Sequence, residues 1–188
     1  MSADLTLASL CSTFAETAVY PADQEQAYLM LGLLAEAGET ANVFKKVLRD
    51  DDCKLTAEKA ERLADELGDV LWYAVLHAFR VADATEDQAA TTLLDLSHRS
   101  LEREGGSVTS GILDLASWAA LGDYEGFDSL TGVRLVSDIV TALRRLATMQ
   151  GDRESAQLLS LSKIAAGVIV KLQDRQARGV LQGSGDKR

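Results

Sequence analysis

One proline in 188 residues, Pro21, leaves little to break a helix anywhere else along the chain. Two cysteines, Cys11 and Cys53, are too few for a disulfide framework, and beside only His77 and His98 they make no zinc spacing. Both thiols are expected to be reduced. No apolar run approaches the roughly 20 residues of a membrane span, and no basic start followed by an apolar stretch opens the chain. The expectation is a soluble, cytoplasmic protein with no membrane partner. Basic residues are also scarce, 19 against 29 acidic, for a formal net charge of −10. Without an overall basic field, no nucleic-acid partner is expected, and a phosphate-bearing ligand has to be met locally or through metal.

What the chain does have is aliphatic residues at helical spacing. Apolar residues make up 47% of the sequence, enough for a real core in one domain or two small ones. The pattern predicts an all-α antiparallel bundle. Helices are expected over Leu5–Tyr20, Gln24–Leu48, Ala57–Ala82 and Glu86–Arg103, with Gly105-Gly106 as a break. Thr56 and Lys59 mark the start of the third. Weaker helices follow near Ile112–Leu121, Val133–Met149 and Glu154–Arg178. The second helix shows a stripe of Met30, Leu33, Leu34, Ala37, Ala41, Phe44 and Leu48; the third shows Leu63, Leu67, Val70, Ala74 and Ala78. These two are expected to pack antiparallel across the loop Arg49–Leu55.

On those two helices stand four carboxylates in two i, i+3 pairs, Glu36/Glu39 and Glu66/Asp69. Spacing alone decides nothing, because five such acidic pairs occur where chance yields roughly four. Context separates them. Glu36 and Glu39 share a face with Leu29, Gly32 and Val43, and Glu66 and Asp69 share theirs with Tyr73, so both pairs belong at the edge of the core. Glu58/Glu61 lies among Lys59 and Arg62 at a helix start and reads as solvated surface. Four carboxylates at a half-buried interface repel one another unless a cation neutralises them. All-oxygen ligands favour Mg²⁺, with Mn²⁺ as a substitute, over zinc. The alternative is salt bridges to Lys45, Lys46, Arg62 or the C-terminal basic residues.

The run E-A-G-E-T-A-N-V-F-K-K from Glu36, followed by D-E-L-G-D-V-L-W-Y from Asp65, resembles the MazG-like, all-α nucleoside triphosphate pyrophosphohydrolases. Residues 24–82 match that core, and the end of the chain from Lys171 is similar to the tail of short MazG-like proteins. Residues 84–165 match little, and Val168 stands near the place where those relatives often carry Asn. The resemblance implies Mg²⁺-dependent hydrolysis of a (deoxy)nucleoside triphosphate to monophosphate and pyrophosphate, serving to clear surplus or altered nucleotides. It implies Glu36, Glu39, Glu66 and Asp69 as metal ligands, with Glu39 the choice for activating water, and association of the chain into dimers or tetramers. Lys171, Arg175 and Arg178 fall on one helix face and are expected to bind phosphate, as are Asn42 and Lys46. Two other classes compete: a nucleotide-binding sensor or regulator without turnover, and a helical interaction module.

A shift of 69 residues sets Asp69, Val70, Leu71, Ala74, Ala78 and Asp83 over Asp138, Ile139, Val140, Leu143, Ala147 and Asp152. The second half therefore reads either as a degenerate helical repeat or as ordinary helical periodicity. In either reading it lacks the metal site, since Glu66 falls on Leu135 and only Asp114 is available from the preceding helix. The organisation expected is a metal-binding helical unit at 1–104 and additional helices at 105–188, ending in a basic, glycine-containing tail. Gly122–Gly132, with Tyr124 and Phe127, is read as a lid or a plain connector. Trp72 and Tyr73 are read as core or interface residues before base-stacking ones.

Overall fold

The computed structural model describes residues 5–102, 106–121 and 128–181. These form α1 (Leu7–Ala15), α2 (Glu25–Asp50), α3 (Ala57–Arg80), α4 (Glu86–Ala89), α5 (Leu93–Glu102), α6 (Val108–Leu121), α7 (Thr131–Met149), α8 (Arg153–Leu158) and α9 (Leu161–Ala177). The all-α expectation holds among the described residues. The tail 183–188, Gly105, and Tyr124 and Phe127 of the segment read as a lid or a plain connector lie outside them. No helix among the described residues is long and apolar enough to cross a membrane.

Two long hairpins make the frame. The α2–α3 hairpin packs on the α6–α7 hairpin, with α2 beside α6 and α3 beside α7. Around them, α1, α8 and α9 also touch α3, which is buried almost all round over Gly68–Ala78. A helix apolar on every face needs this many neighbours. One continuous core runs from Leu7 to Val168.

Local chemistry sets most helix ends. The Thr56 hydroxyl accepts from the Lys59 amide at 3.3 Å, the start the sequence marked. The helix expected over Glu86–Arg103 divides instead into α4 and α5. A Thr85–Gln88 capping box closes α4, and the strand-like bridge Thr6–Thr92 takes the backbone between them. That bridge also starts α1 at Leu7, two residues later than expected, and α1 stops at Ala15, five short of Tyr20. The long helix expected over Glu154–Arg178 divides at Leu159–Ser160, where the Ser160 side chain caps α9. In α2 the buried arc is Leu29, Leu33, Ala37, Thr40, Val43, Phe44 and Val47, whereas Leu34 and Leu48 are 39% and 45% exposed. The reason is that α2 serves two partners, α3 and α6, so its apolar arc turns away from the stripe that one partner would require.

The turn between α2 and α3 is tight. Asp52 and Cys53 both take left-handed conformations, at φ 53° and 61°. From the end of α7, Gln150 clamps it: its carbonyl accepts from the Leu55 amide at 3.1 Å and its amide donates to the Cys53 carbonyl at 3.3 Å. Gln150→Ala strips two partners from strained backbone, so we expect a loss of about 1 kcal/mol, read as a lower urea midpoint at unchanged slope.

Candidate active site

A cleft of about 630 Å³ opens between α2, α3 and α9. Glu36 and Glu39 reach it from α2, Glu66 and Asp69 from α3, so the two i, i+3 pairs meet across the hairpin as their spacing required. One oxygen each of Glu36, Glu39 and Glu66 lies within 4.8 Å of the others. Asp69 faces the same cleft but is joined through Oδ2 to the Lys171 ammonium of α9. Arg62 and Arg175 complete the charged lining.

The electrostatics follow from crowding. Burial pushes the Glu36 carboxyl up to about 7, and Asp69, Glu39 and Glu66 push the same way while Lys171 opposes them. Glu66 is also raised, first by burial and then by Glu39 and Asp69, against Lys171 and Arg62. A divalent cation fits this donor set. Three carboxylate oxygens within 4.8 Å of one another approach the span of about 4.2 Å across an octahedral Mg²⁺ shell, and hard oxygens are what that ion takes.

The apolar side of the cleft is aromatic. Tyr28, Trp72 and Tyr73 line it, with Tyr20 stacked on Tyr28 at 4.6 Å and Trp72 edge-on to Tyr73 at 4.8 Å. Gly32 makes room for the Tyr73 ring, because a Cβ there would overlap it. The Trp72 indole donates to Thr17 at 3.2 Å, which holds the segment after α1 at the rim, so that Thr17 and Val19 also line the cleft. The sequence reading of Trp72 and Tyr73 as core residues is thus half the account: Trp72 is buried, and both border the cleft.

Not every candidate arrives. Asn42 and Lys46 sit further along α2 and do not line the cleft. Arg178 lies past the last residue of α9 and pairs with Asp174 at 2.7 Å, an exposed i, i+4 pair. Of the face expected from Lys171, Arg175 and Arg178, Arg175 lines the cleft and Lys171 meets it through Asp69. Gly179 ends α9 at φ 67°, as its position after the helix suggests. Arg62 was read only as a salt-bridge partner on a solvated face, and Tyr28 and Leu172 not at all. The signal for Arg62 was its place four residues before Glu66, one turn up the same face.

The second hairpin carries a smaller cleft of about 180 Å³ whose lining includes Asp114, Leu135 and Asp138. Its α7 ends at Met149, 69 residues after Arg80 ends α3 (149 − 80).

The family model of the MazG nucleotide pyrophosphohydrolase domain matches residues 24–100, the segment that supplies all four carboxylates. Among curated proteins the chain is similar to the Gene 37 protein of Mycobacterium phage L5, at 45% identity over 64 residues, covering 31% of this chain and 56% of that protein. The chain thus spans about half the length of that relative. No solved structure matches it.

Proposed function

We propose that the chain, whose residues 24–100 match the family model of the MazG nucleotide pyrophosphohydrolase domain, hydrolyses (deoxy)nucleoside triphosphates to the monophosphate and pyrophosphate, using Mg²⁺ or in its place Mn²⁺. The observation that carries this reading is the meeting of Glu36, Glu39 and Glu66 within 4.8 Å, in a cleft that also presents Arg62 and Arg175. A bound divalent ion supplies charge neutralisation on the triphosphate and a more acidic water. Glu36 and Glu66 hold it, with Asp69 in reserve. Glu39, the most exposed of the three clustered carboxylates, orients the water that attacks the α-phosphorus and takes its proton. The α–β phosphoanhydride bond breaks, and Arg62 and Arg175 receive the charge of the departing pyrophosphate. The aromatic side faces the nucleoside. The protein works in the cytoplasm on the nucleotide pool, as a homo-oligomer. The second hairpin serves as a degenerate partner to the first, with Leu135 in place of the second motif's glutamate.

Product analysis tests this. Purified protein with Mg²⁺ and a panel of NTPs, dNTPs and altered nucleotides is expected to yield monophosphate and pyrophosphate, and Glu39→Gln to yield neither. Diphosphate and orthophosphate would rule the reaction out. Saturable Mg²⁺-nucleotide binding without product would move the chain to the sensor class, and no binding at all to the interaction module.

A further inference from the structure

The carboxylate cleft already holds a cation of the protein's own. Lys171 projects from α9, and its ammonium sits on Asp69 Oδ2, with both side chains about a third exposed or less. The close approach of α9 to α3 puts it there. Gly68, next to Asp69, has no side chain, and Val168, one turn before Lys171, fills that space: a Cβ on Gly68 would lie 2.5 Å from Val168 Cγ2. Glycine against valine thus sets the height of the lysine above the carboxylates. Lys171 also acts on more than Asp69, since it opposes the upward shift of both Glu36 and Glu66. The three oxygens that cluster tightly are those of Glu36, Glu39 and Glu66; the carboxylate outside that group is the one the lysine holds.

We propose that Lys171 is an exchangeable counterion, which holds Asp69 away from the metal cluster in the free protein and passes to the triphosphate when metal and nucleotide enter together. A bare divalent ion then competes with a resident positive charge and lacks one carboxylate. With the nucleotide present, the ammonium finds phosphate oxygens, Asp69 is released toward the ion, and both ligands bind better. The two affinities are coupled through one side chain, and the coupling is reciprocal. This rests on the metal-dependent reading above and adds an order to it: free metal stays largely off the protein until a triphosphate accompanies it.

The test is a Mn²⁺ titration followed by electron paramagnetic resonance, with and without an α,β-methylene nucleoside triphosphate, on the wild type, Lys171→Met, Lys171→Gln and Lys171→Arg. Lys171→Met keeps an apolar stem of similar length and removes the charge; Lys171→Gln is the second neutral form, should the first fold poorly. We expect both neutral variants to bind bare Mn²⁺ about tenfold more tightly than the wild type and to lose most of the analogue's enhancement, within the usual range of such couplings. Lys171→Arg is expected to behave as the wild type. A purely structural lesion would weaken bare-metal binding, so tighter binding cannot arise that way. Neutral variants that bind bare Mn²⁺ no better than the wild type overturn the proposal and leave the proposed function standing. No Mn²⁺ binding by any form, with or without analogue, overturns both.

Discussion

Glu36→Gln is expected to cut turnover about a thousandfold while making the metal-free protein harder to melt at pH 8. The loss of turnover follows from removing a charged ligand of the ion that neutralises the triphosphate, an effect of roughly 4 kcal/mol on the barrier. The gain in stability has the opposite sign because the wild-type carboxyl is a burden when ionised. Its value in the folded protein is about 7, against an ordinary 4.5, with burial the largest cause and the three neighbouring carboxylates next. A folded-state value above the unfolded one adds stability on the protonated side, and that contribution disappears as pH rises through 7. The metal-free wild type should therefore lose stability between about pH 4.5 and 7. A shift of this size is worth roughly 3 kcal/mol at full strength, and water in the open cleft reduces it to about half. Glutamine abolishes the burden, so we expect the variant to melt higher by about 3–6 °C in chelator at pH 8. Mg²⁺ together with an α,β-methylene nucleoside triphosphate should reverse the order, since the wild type gains from binding the pair and the variant gains little. Melting curves in chelator and in Mg²⁺ with the analogue, at pH 5 and pH 8, check these expectations. A variant that melts lower than the wild type in chelator at pH 8 would sink the account.

The second large effect lies away from the cleft. Gly132, in the first turn of α7, presses against the Trp118 ring from α6, and Ala74 of α3 lies 3.3 Å from where its Cβ would be. All three positions are buried, so neither neighbour has solvent to move into. Gly132→Val forces overlap with a ring that also meets His77 edge-on at 5.4 Å. Overpacking at such a point costs about 3 kcal/mol or more, which for a chain of this size lowers Tm by about 6–12 °C. Trimming the ring should give part of it back. In a double-mutant cycle read by urea unfolding, Trp118→Leu is expected to cost less in the Gly132→Val background than in the wild type. Additive costs would place the strain elsewhere.

How far the chain could be read depends on the range of the forces involved. The α2–α3 hairpin was legible, because a strong apolar period, one threonine cap and a short loop are all local. Glu36, Glu39, Glu66 and Asp69 meet for the same reason: two i, i+3 pairs on two adjacent helices can face each other across one seam. The break between α4 and α5 was not legible, since Thr92 leaves the helix to pair with Thr6, 86 residues away in sequence (92 − 6). The break before α9 was partly legible in Ser160, a good helix cap, but no proline or glycine stood there to insist on it. Leu34 and Leu48 were assigned to the wrong face because one helix stripe cannot reveal that two helices will share it. Lys171 was expected on phosphate and is found on Asp69; a periodic pattern places a lysine on a face without naming its partner.

The two indoles occupy different environments. Trp72 borders the cleft and donates to Thr17, whereas Trp118 sits in the core with its ring edge-on to His77. They are the only tryptophans in the sequence, so intrinsic fluorescence divides into two signals. In a Trp118→Phe background the remaining emission reports arrivals at the cleft, through changed polarity around one ring. In a Trp72→Phe background it reports the integrity of the packing where the two hairpins meet. Each half of the molecule thus has its own optical probe, with no dye to attach.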